Sequence, residues 1–242
     1  MLFKKKQNQK SVPEEECVQK FGGELDFSTA EAFNLLRTNL SFAFPGKTNG
    51  KLVGITSAAP SEGKSYNAVN LAYSLAKDGQ KVLLIDADLR KPTVAEKLGL
   101  KLAPGLSNRL ITENDSFINE GVLHENLSVL TAGDVPPNPS ELIGSEKMEN
   151  LLKSYAETYD YVIVDLPPVM EVPDPLILSN KLDGIVITVM HERSFCSEVK
   201  ETVRKLQFAN ARILGFIYNG YSDVAKRKRR KYARRHSKKI KK

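Results

Sequence analysis

Apolar residues fall into two alternating kinds of run along this chain. Short, almost uninterrupted stretches rich in Val, Ile and Leu occur at Leu52 to Ser57, Val82 to Asp86, Leu127 to Leu130, Tyr161 to Asp165, Gly184 to Val189 and Ile213 to Tyr218. Between them, residues 63–78, 139–156, 174–181 and 195–209 place apolar positions three and four apart, the repeat of a helix with one buried face. A strand that is apolar throughout must be covered on both faces, and helices alternating with such strands supply the cover. The pattern therefore predicts an α/β domain, doubly wound around a mainly parallel sheet. One more helix is expected over residues 28–42, where Ser28-Thr29-Ala30-Glu31 has capping-box spacing ahead of Phe33, Leu36 and Leu40, and Pro45-Gly46 follows its end. No internal repeat interrupts this order.

Composition narrows the class. With 242 residues, 41% of them apolar, the chain can bury a substantial core as one large domain or two small ones. No apolar run approaches the roughly 20 residues that span a bilayer, and Met1-Leu2-Phe3-Lys4-Lys5-Lys6 lacks the apolar stretch of a signal peptide, so a cytoplasmic protein is expected. Cys17 and Cys196 form no CxxC pair, which argues against a disulfide scaffold or a thiolate metal cluster. The net charge of +7 is uneven: twelve lysines and arginines lie between Lys226 and Lys242 with no acidic residue among them, which leaves the preceding residues net negative. Three segments follow: a flexible lead-in over 1–27, a folded domain over 28–222, and a basic tail over 223–242, expected to stay disordered until it meets an anionic partner.

Ligands of open α/β sheets bind beyond the carboxyl ends of the strands, so those ends carry the candidate chemistry. The first strand runs into Ala58-Ala59-Pro60-Ser61-Glu62-Gly63-Lys64-Ser65-Tyr66, a GxxxxGK[ST] phosphate loop with alanine at its first position, followed by a helix. Backbone N–H groups of the loop from Ala59 to Tyr66, other than Pro60, which has none, and the helix N-terminus suit a nucleotide's phosphates, Lys64 bridges phosphate oxygens, and the Ser65 hydroxyl is a Mg²⁺ ligand. The second strand ends in Asp86-Ala87-Asp88-Leu89-Arg90, two like charges that call for a cation or a proton to accept. The strand Tyr161 to Asp165 ends in a single carboxylate, as in a Walker B element that holds metal through water. Read together, the three predict an Mg²⁺-nucleotide site on a phosphate-loop fold, and by its resemblance to P-loop NTPases the chain is expected to be MinD/ParA-like in architecture. His124, His191 and His236 are too scattered to form a catalytic or metal site and are read as ordinary surface or core histidines.

With these residues in hand the chain resembles the bacterial tyrosine kinases of capsular and exopolysaccharide synthesis. The resemblance covers about Ser28 to Tyr221 and is most specific at Ile85-Asp86-Ala87-Asp88-Leu89-Arg90-Lys91-Pro92, which is similar to the family's additional Walker A′ motif. Pro137-Asn138-Pro139-Ser140-Glu141-Leu142 and Glu31-Ala32-Phe33 with Arg37-Thr38-Asn39 support it. The resemblance implies an ATP-dependent protein-tyrosine autokinase. In it Lys64 and Ser65 bind phosphate and metal, Asp86 and Asp88 position Mg²⁺ and the attacking hydroxyl, Asp165 completes the metal site, and Asn219 contacts adenine. Arg90 offers further charge neutralisation for phosphoryl transfer, and Asp86 or Asp88 a proton acceptor. It also implies assembly into a homo-oligomer, a separate integral membrane activator, protein tyrosines including its own as substrates, and recruitment to the inner face of the plasma membrane. Tyr221 and Tyr232 are the autophosphorylation candidates, and the tail around Tyr232 suits an anionic membrane surface; nucleic acid is not an expected partner.

The chain departs from the family at three places. Asn34 stands where the ring-forming helix commonly carries arginine, Tyr66 stands where a small hydroxyl residue follows the loop serine, and two tyrosines replace a dense C-terminal cluster. Tyr66 reads equally as a core-facing aromatic or as a change at the α-phosphate. Two other functions compete: a ParA/MinD-type positioning ATPase that binds DNA or membrane, and a kinase-like adaptor with weak nucleotide binding. The former carries a signature lysine early in the loop, where this chain has Ala59.

Overall fold

The computed structural model describes residues 20–112 and 117–220. A short 3-10 turn at Gly22–Glu24 leads into α1 (Phe27–Phe42), and the chain then alternates: β1 (Lys51–Ser57), α2 (Lys64–Lys77), β2 (Val82–Asp86), α3 (Val94–Leu98), α4 (Leu106–Thr112), β3 (Leu127–Leu130), α5 (Pro139–Gly144), α6 (Glu146–Thr158), β4 (Tyr161–Asp165), α7 (Asp174–Ser179), β5 (Gly184–Met190), α8 (Cys196–Phe208) and β6 (Ile213–Asn219). The six strands are parallel and stand in the order β3-β2-β4-β1-β5-β6. Successive side chains divide between two cores. Leu83, Ile85, Val162 and Val164 join Ile143, Met148 and Leu152 on one face, while Leu84, Ile55 and Ile163 join Leu71, Leu75 and Phe33 of α2 and α1 on the other. This two-sided burial is why the strands read as continuous apolar runs.

The expected strands all form, while several helical boundaries move. α1 is capped by Asp26, whose carboxylate accepts from the Thr29 N–H at 3.1 Å and the Thr29 hydroxyl at 2.7 Å, and not by Ser28. Glu31, the expected second half of that box, accepts from Asn34 instead. The segment 139–156 is two helices, because Ser145 takes an extended conformation and caps α6 through the Met148 N–H. The short helices α3 and α4 escape a periodicity reading because each has fewer than two or so turns. The ordered domain also starts before Ser28: the Gly22 N–H donates to Asn70 Oδ1 at 3.0 Å, and the Phe21 ring packs 5.6 Å from that of Tyr66. The tail, Cys17, His236, Tyr221 and Tyr232 lie outside the described residues.

β1 lies inside the sheet, and its entry is tightly built. The Gly50 N–H donates to the Ala156 carbonyl at 2.8 Å, and a Cβ on Gly50 would collide with the carbonyl oxygens of Tyr159 and Ala156. Main-chain atoms at the end of α6 cannot swing aside as a side-chain tip does. Gly50→Ala is expected to destabilise the fold by on the order of 2 kcal/mol, read as a lower urea midpoint at unchanged slope.

Candidate active site

Strand register, more than sequence proximity, assembles the site. β4 lies between β1 and β2, so Asp165 pairs in register with both Asp86 and Ile55, and two carboxylates end adjacent strands side by side. Both residues are fully buried. Lys64, the first residue of α2, enters from the phosphate loop: its ammonium is 2.9 Å from Asp88 Oδ2 and 3.8 Å from Asp165 Oδ1. Among the described residues, three carboxylates thus share one ammonium in this cluster. Asp86 is lifted to about 7, first by burial and then by the charge of Asp165. Burial likewise raises Asp165 above the usual carboxylate range, with Lys64 acting against it. Burial alone would lower Lys64, but the surrounding Asp165, Asp88 and Asp86 outweigh it and hold the ammonium above its ordinary value.

The motif carboxylates have different partners. Asp86 spends both oxygens on the loop after β2, accepting from the N–H groups of Asp88, Thr93 and Val94 at 3.1 to 3.2 Å. Asp88 accepts from Lys64 and from the Lys91 N–H. Neither oxygen of Asp165 makes a well-formed hydrogen bond among the described residues, although the Ser65 hydroxyl stands near enough to act against the rise in its pKa. Beside it the Ser65 hydroxyl is bonded to Thr93 Oγ1 at 3.0 Å, a contact that sequence reasoning missed. Oxygen donors, excess negative charge and an orphaned buried carboxylate fit Mg²⁺, which keeps several waters and takes few protein ligands. No group of three or more His, Cys, Asp or Glu side chains among the described residues forms a ready metal cage.

The phosphate loop has the geometry its sequence requires. Gly63 sits at φ +91°, where a Cβ would also strike Asn219 Nδ2, and Ser61 takes φ +60°. A cleft of about 1040 Å³ opens over it, lined by the loop, Asp88, Arg90, Pro168, Met190 and Asn219 among others. Of the three clustered carboxylates Asp88 lines this cleft, while Asp86 and Asp165 are fully buried and do not. Tyr66 lines the same cleft and packs against Phe21 and Phe33, as its reading as a core-facing aromatic expects. Lys64 is buried at 8% exposure although it belongs to the loop bordering the cleft. Arg90 needs a larger correction. Its guanidinium is committed to the buried Asp174 at 2.9 Å and to Ser140 at 2.8 Å, so it braces the loop after β2 against α5 and α7 and is not an uncommitted transition-state cation. The hydrogen bond to Asp174 raises its already high pKa. Asp174, set between two prolines, was missed because nothing in Pro173-Asp174-Pro175 marks its distant partner.

Comparison with known proteins decides the family. Residues 51–213 match the family model described as an AAA domain. The tyrosine-protein kinase YwqD of Bacillus subtilis is 41% identical over 194 residues, covering 79% of this chain and 81% of that protein. The chain belongs to the bacterial tyrosine-protein kinases. The kinase domain of Escherichia coli ETK superposes with a TM-score of 0.75 at 34% identity, covering 80% of this chain and 76% of that one. Some kinase relatives are much longer: Ralstonia solanacearum EpsB, named a putative tyrosine-protein kinase, is 38% identical over 80% of this chain, which spans 26% of it. This kinase thus carries its Lys64, Asp88 and Asp165 cluster at the phosphate loop of the fold it shares with those kinase domains.

The charge cluster has a measurable cost without metal. Because the folded-state pKa of Asp86 is raised, the folded form holds a proton that the unfolded chain has already released. Stability from this group therefore falls as pH rises from the ordinary value of 3.8 through about 7. Asp165→Asn removes one of the repelling charges; it also removes the attraction to Lys64, but the net upward shift of Asp165 shows that burial outweighs that attraction. In metal-free buffer it is expected to raise stability at pH 8 by on the order of 1 kcal/mol, a few degrees in Tm, with a smaller gain at pH 5, while phosphotyrosine formation is lost. Equal Tm shifts at both pH values would contradict the electrostatic account.

Proposed function

We propose that this kinase is an Mg²⁺-ATP-dependent tyrosine autokinase that works at the inner face of the plasma membrane in regulating synthesis or export of a surface polysaccharide. The single observation that carries the catalytic part is the convergence of Lys64, Ser65 and Asp88 at the N-terminus of α2, over the orphaned carboxylate of Asp165, in one nucleotide-sized cleft. When bound, Mg²⁺ neutralises charge on the phosphate oxygens; Ser65 and Asp165 are the side chains that would hold it, the latter through water. The N–H groups at the start of α2 orient the phosphates, and Lys64 offsets charge that develops on them. Asp88, bordering the cleft, accepts the proton of the attacking tyrosine. Asn219 faces the same cleft, which suits the adenine role given to it by family resemblance. Tyr221 and Tyr232 are the proposed acceptors, a homo-oligomer the proposed assembly, and an integral membrane protein the proposed activator, all on that same resemblance. The positioning-ATPase alternative loses ground because Ala59 occupies the place of its signature lysine.

Lys64→Met is expected to cut ATP-dependent phosphotyrosine formation at least a hundredfold, and its Tm in metal-free buffer to fall, since three buried carboxylates lose their cation. Undiminished phosphotyrosine would defeat the kinase mechanism, and hydrolysis stimulated by DNA would favour the positioning ATPase. Mixing full-length Lys64→Met chain with an active chain truncated after residue 220 tests the acceptors: label is expected on Tyr221 or Tyr232 of the inactive chain. Label confined to other tyrosines would remove both acceptors.

A further inference from the structure

Glu62 is a buried carboxylate that phosphoryl transfer does not use. It precedes Gly63 in the phosphate loop, yet it is 1% exposed and both of its oxygens are occupied. Oε2 accepts from the Ala59 N–H at 3.0 Å, and Oε1 accepts from the hydroxyl of Ser194, which lies between β5 and α8. Ser194 Oγ in turn accepts from the Met190 N–H at 2.7 Å. The Glu62 carbonyl accepts from Asn219 Nδ2 at 3.1 Å, and the His191 N–H donates to the Asn219 carbonyl at 2.9 Å. One residue thus joins three segments: the phosphate loop, the turn after β5 and the end of β6. Met190 and Asn219, from the latter two, both line the cleft.

The placement is unfavourable by charge alone. A carboxylate beneath a loop that holds anionic phosphates repels the ligand, and no lysine or arginine among the described residues forms an ion pair with it. Its hydrogen bonds repay burial only by fixing backbone geometry: the Ala59 N–H is tied down at one end of the loop and the Met190 turn at the other.

We propose that Glu62 is a positioning residue that sets the separation between the phosphate-holding loop and the wall formed by Met190 and Asn219, and through it nucleotide affinity and the preference for adenine. The proposal rests on reading this cleft as the ATP site. Glu62 touches neither the reacting phosphate nor the tyrosine, so its loss moves binding more than the chemical step.

The test uses the full chain with N-methylanthraniloyl ADP and GDP as binding probes, together with KM and kcat for ATP. Glu62→Ala is expected to weaken ADP binding about tenfold, to weaken GDP binding less, and to raise KM for ATP with a smaller change in kcat. Glu62→Gln keeps an acceptor for the Ala59 N–H and a polar contact to Ser194, and should return ADP affinity to within about threefold of the parent. Ser194→Ala should move in the same direction as Glu62→Ala by a smaller factor, and it carries the test if Glu62→Ala does not fold. Unchanged ADP affinity and ADP-to-GDP ratio in both truncations would overturn the proposal, as would kcat falling in step with kcat/KM. A parent chain that fails to bind ADP would instead overturn the reading of the cleft as an ATP site.

Discussion

Two carboxylates forced together in the interior set the terms for the rest of the site. The parallel register that pairs Asp86 with Asp165 leaves them adjacent, buried and short of cations, with Lys64 alone inside the cluster. A protein selected only for stability would place apolar residues at these strand ends. Retaining the pair concentrates repulsion at the strand ends, which a divalent cation bound with phosphate would relieve. The fold tolerates this because the surrounding sheet is buried on both faces and its two cores hold the strand ends in place.

Around that cluster, side chains that look catalytic in a linear motif divide into those that meet ligand and those that hold the frame. Asp86 uses its oxygens to cap the loop after β2, so its N–H partners fix Asp88 and Thr93, and Thr93 fixes the Ser65 hydroxyl. Arg90 reaches sideways to Asp174 and Ser140, linking the Walker A′-like segment to α5 and α7. That linkage gives a physical sense to the Pro139-Ser140-Glu141 stretch, whose serine also donates to Asp174 at 2.5 Å. Precision at a phosphoryl-transfer site depends on such supports as much as on the groups that touch phosphate.

Two departures from the family pattern, Asn34 and Tyr66, are absorbed by local packing. Asn34 accepts from the Ser74 hydroxyl at 3.2 Å and donates to Glu31, so it fastens α1 to α2. Tyr66 fills space against Phe21 and Phe33, which draws residues before α1 into the domain and explains why order begins earlier than helical periodicity suggests. His191 is likewise engaged, its Nδ1 meeting the Tyr218 hydroxyl at the end of the sheet.

By itself the sequence determined what local physics controls. Continuous apolar runs marked all six strands, three- and four-residue spacing marked the longer helices, and Gly63-Lys64-Ser65 announced a phosphate loop because few other residues satisfy its backbone. It misplaced the α1 cap by two residues, since Asp26 and Ser28 both offer a suitable oxygen and only packing selects between them. Tertiary structure alone decided the strand order that sets Asp165 beside Asp86, the burial of Lys64, the diversion of Arg90 to Asp174 and the binding of Glu62 to Ser194. Each of those joins residues 79 to 132 positions apart or depends on a distant wall, and no period or motif within one strand, loop or helix encodes such a separation.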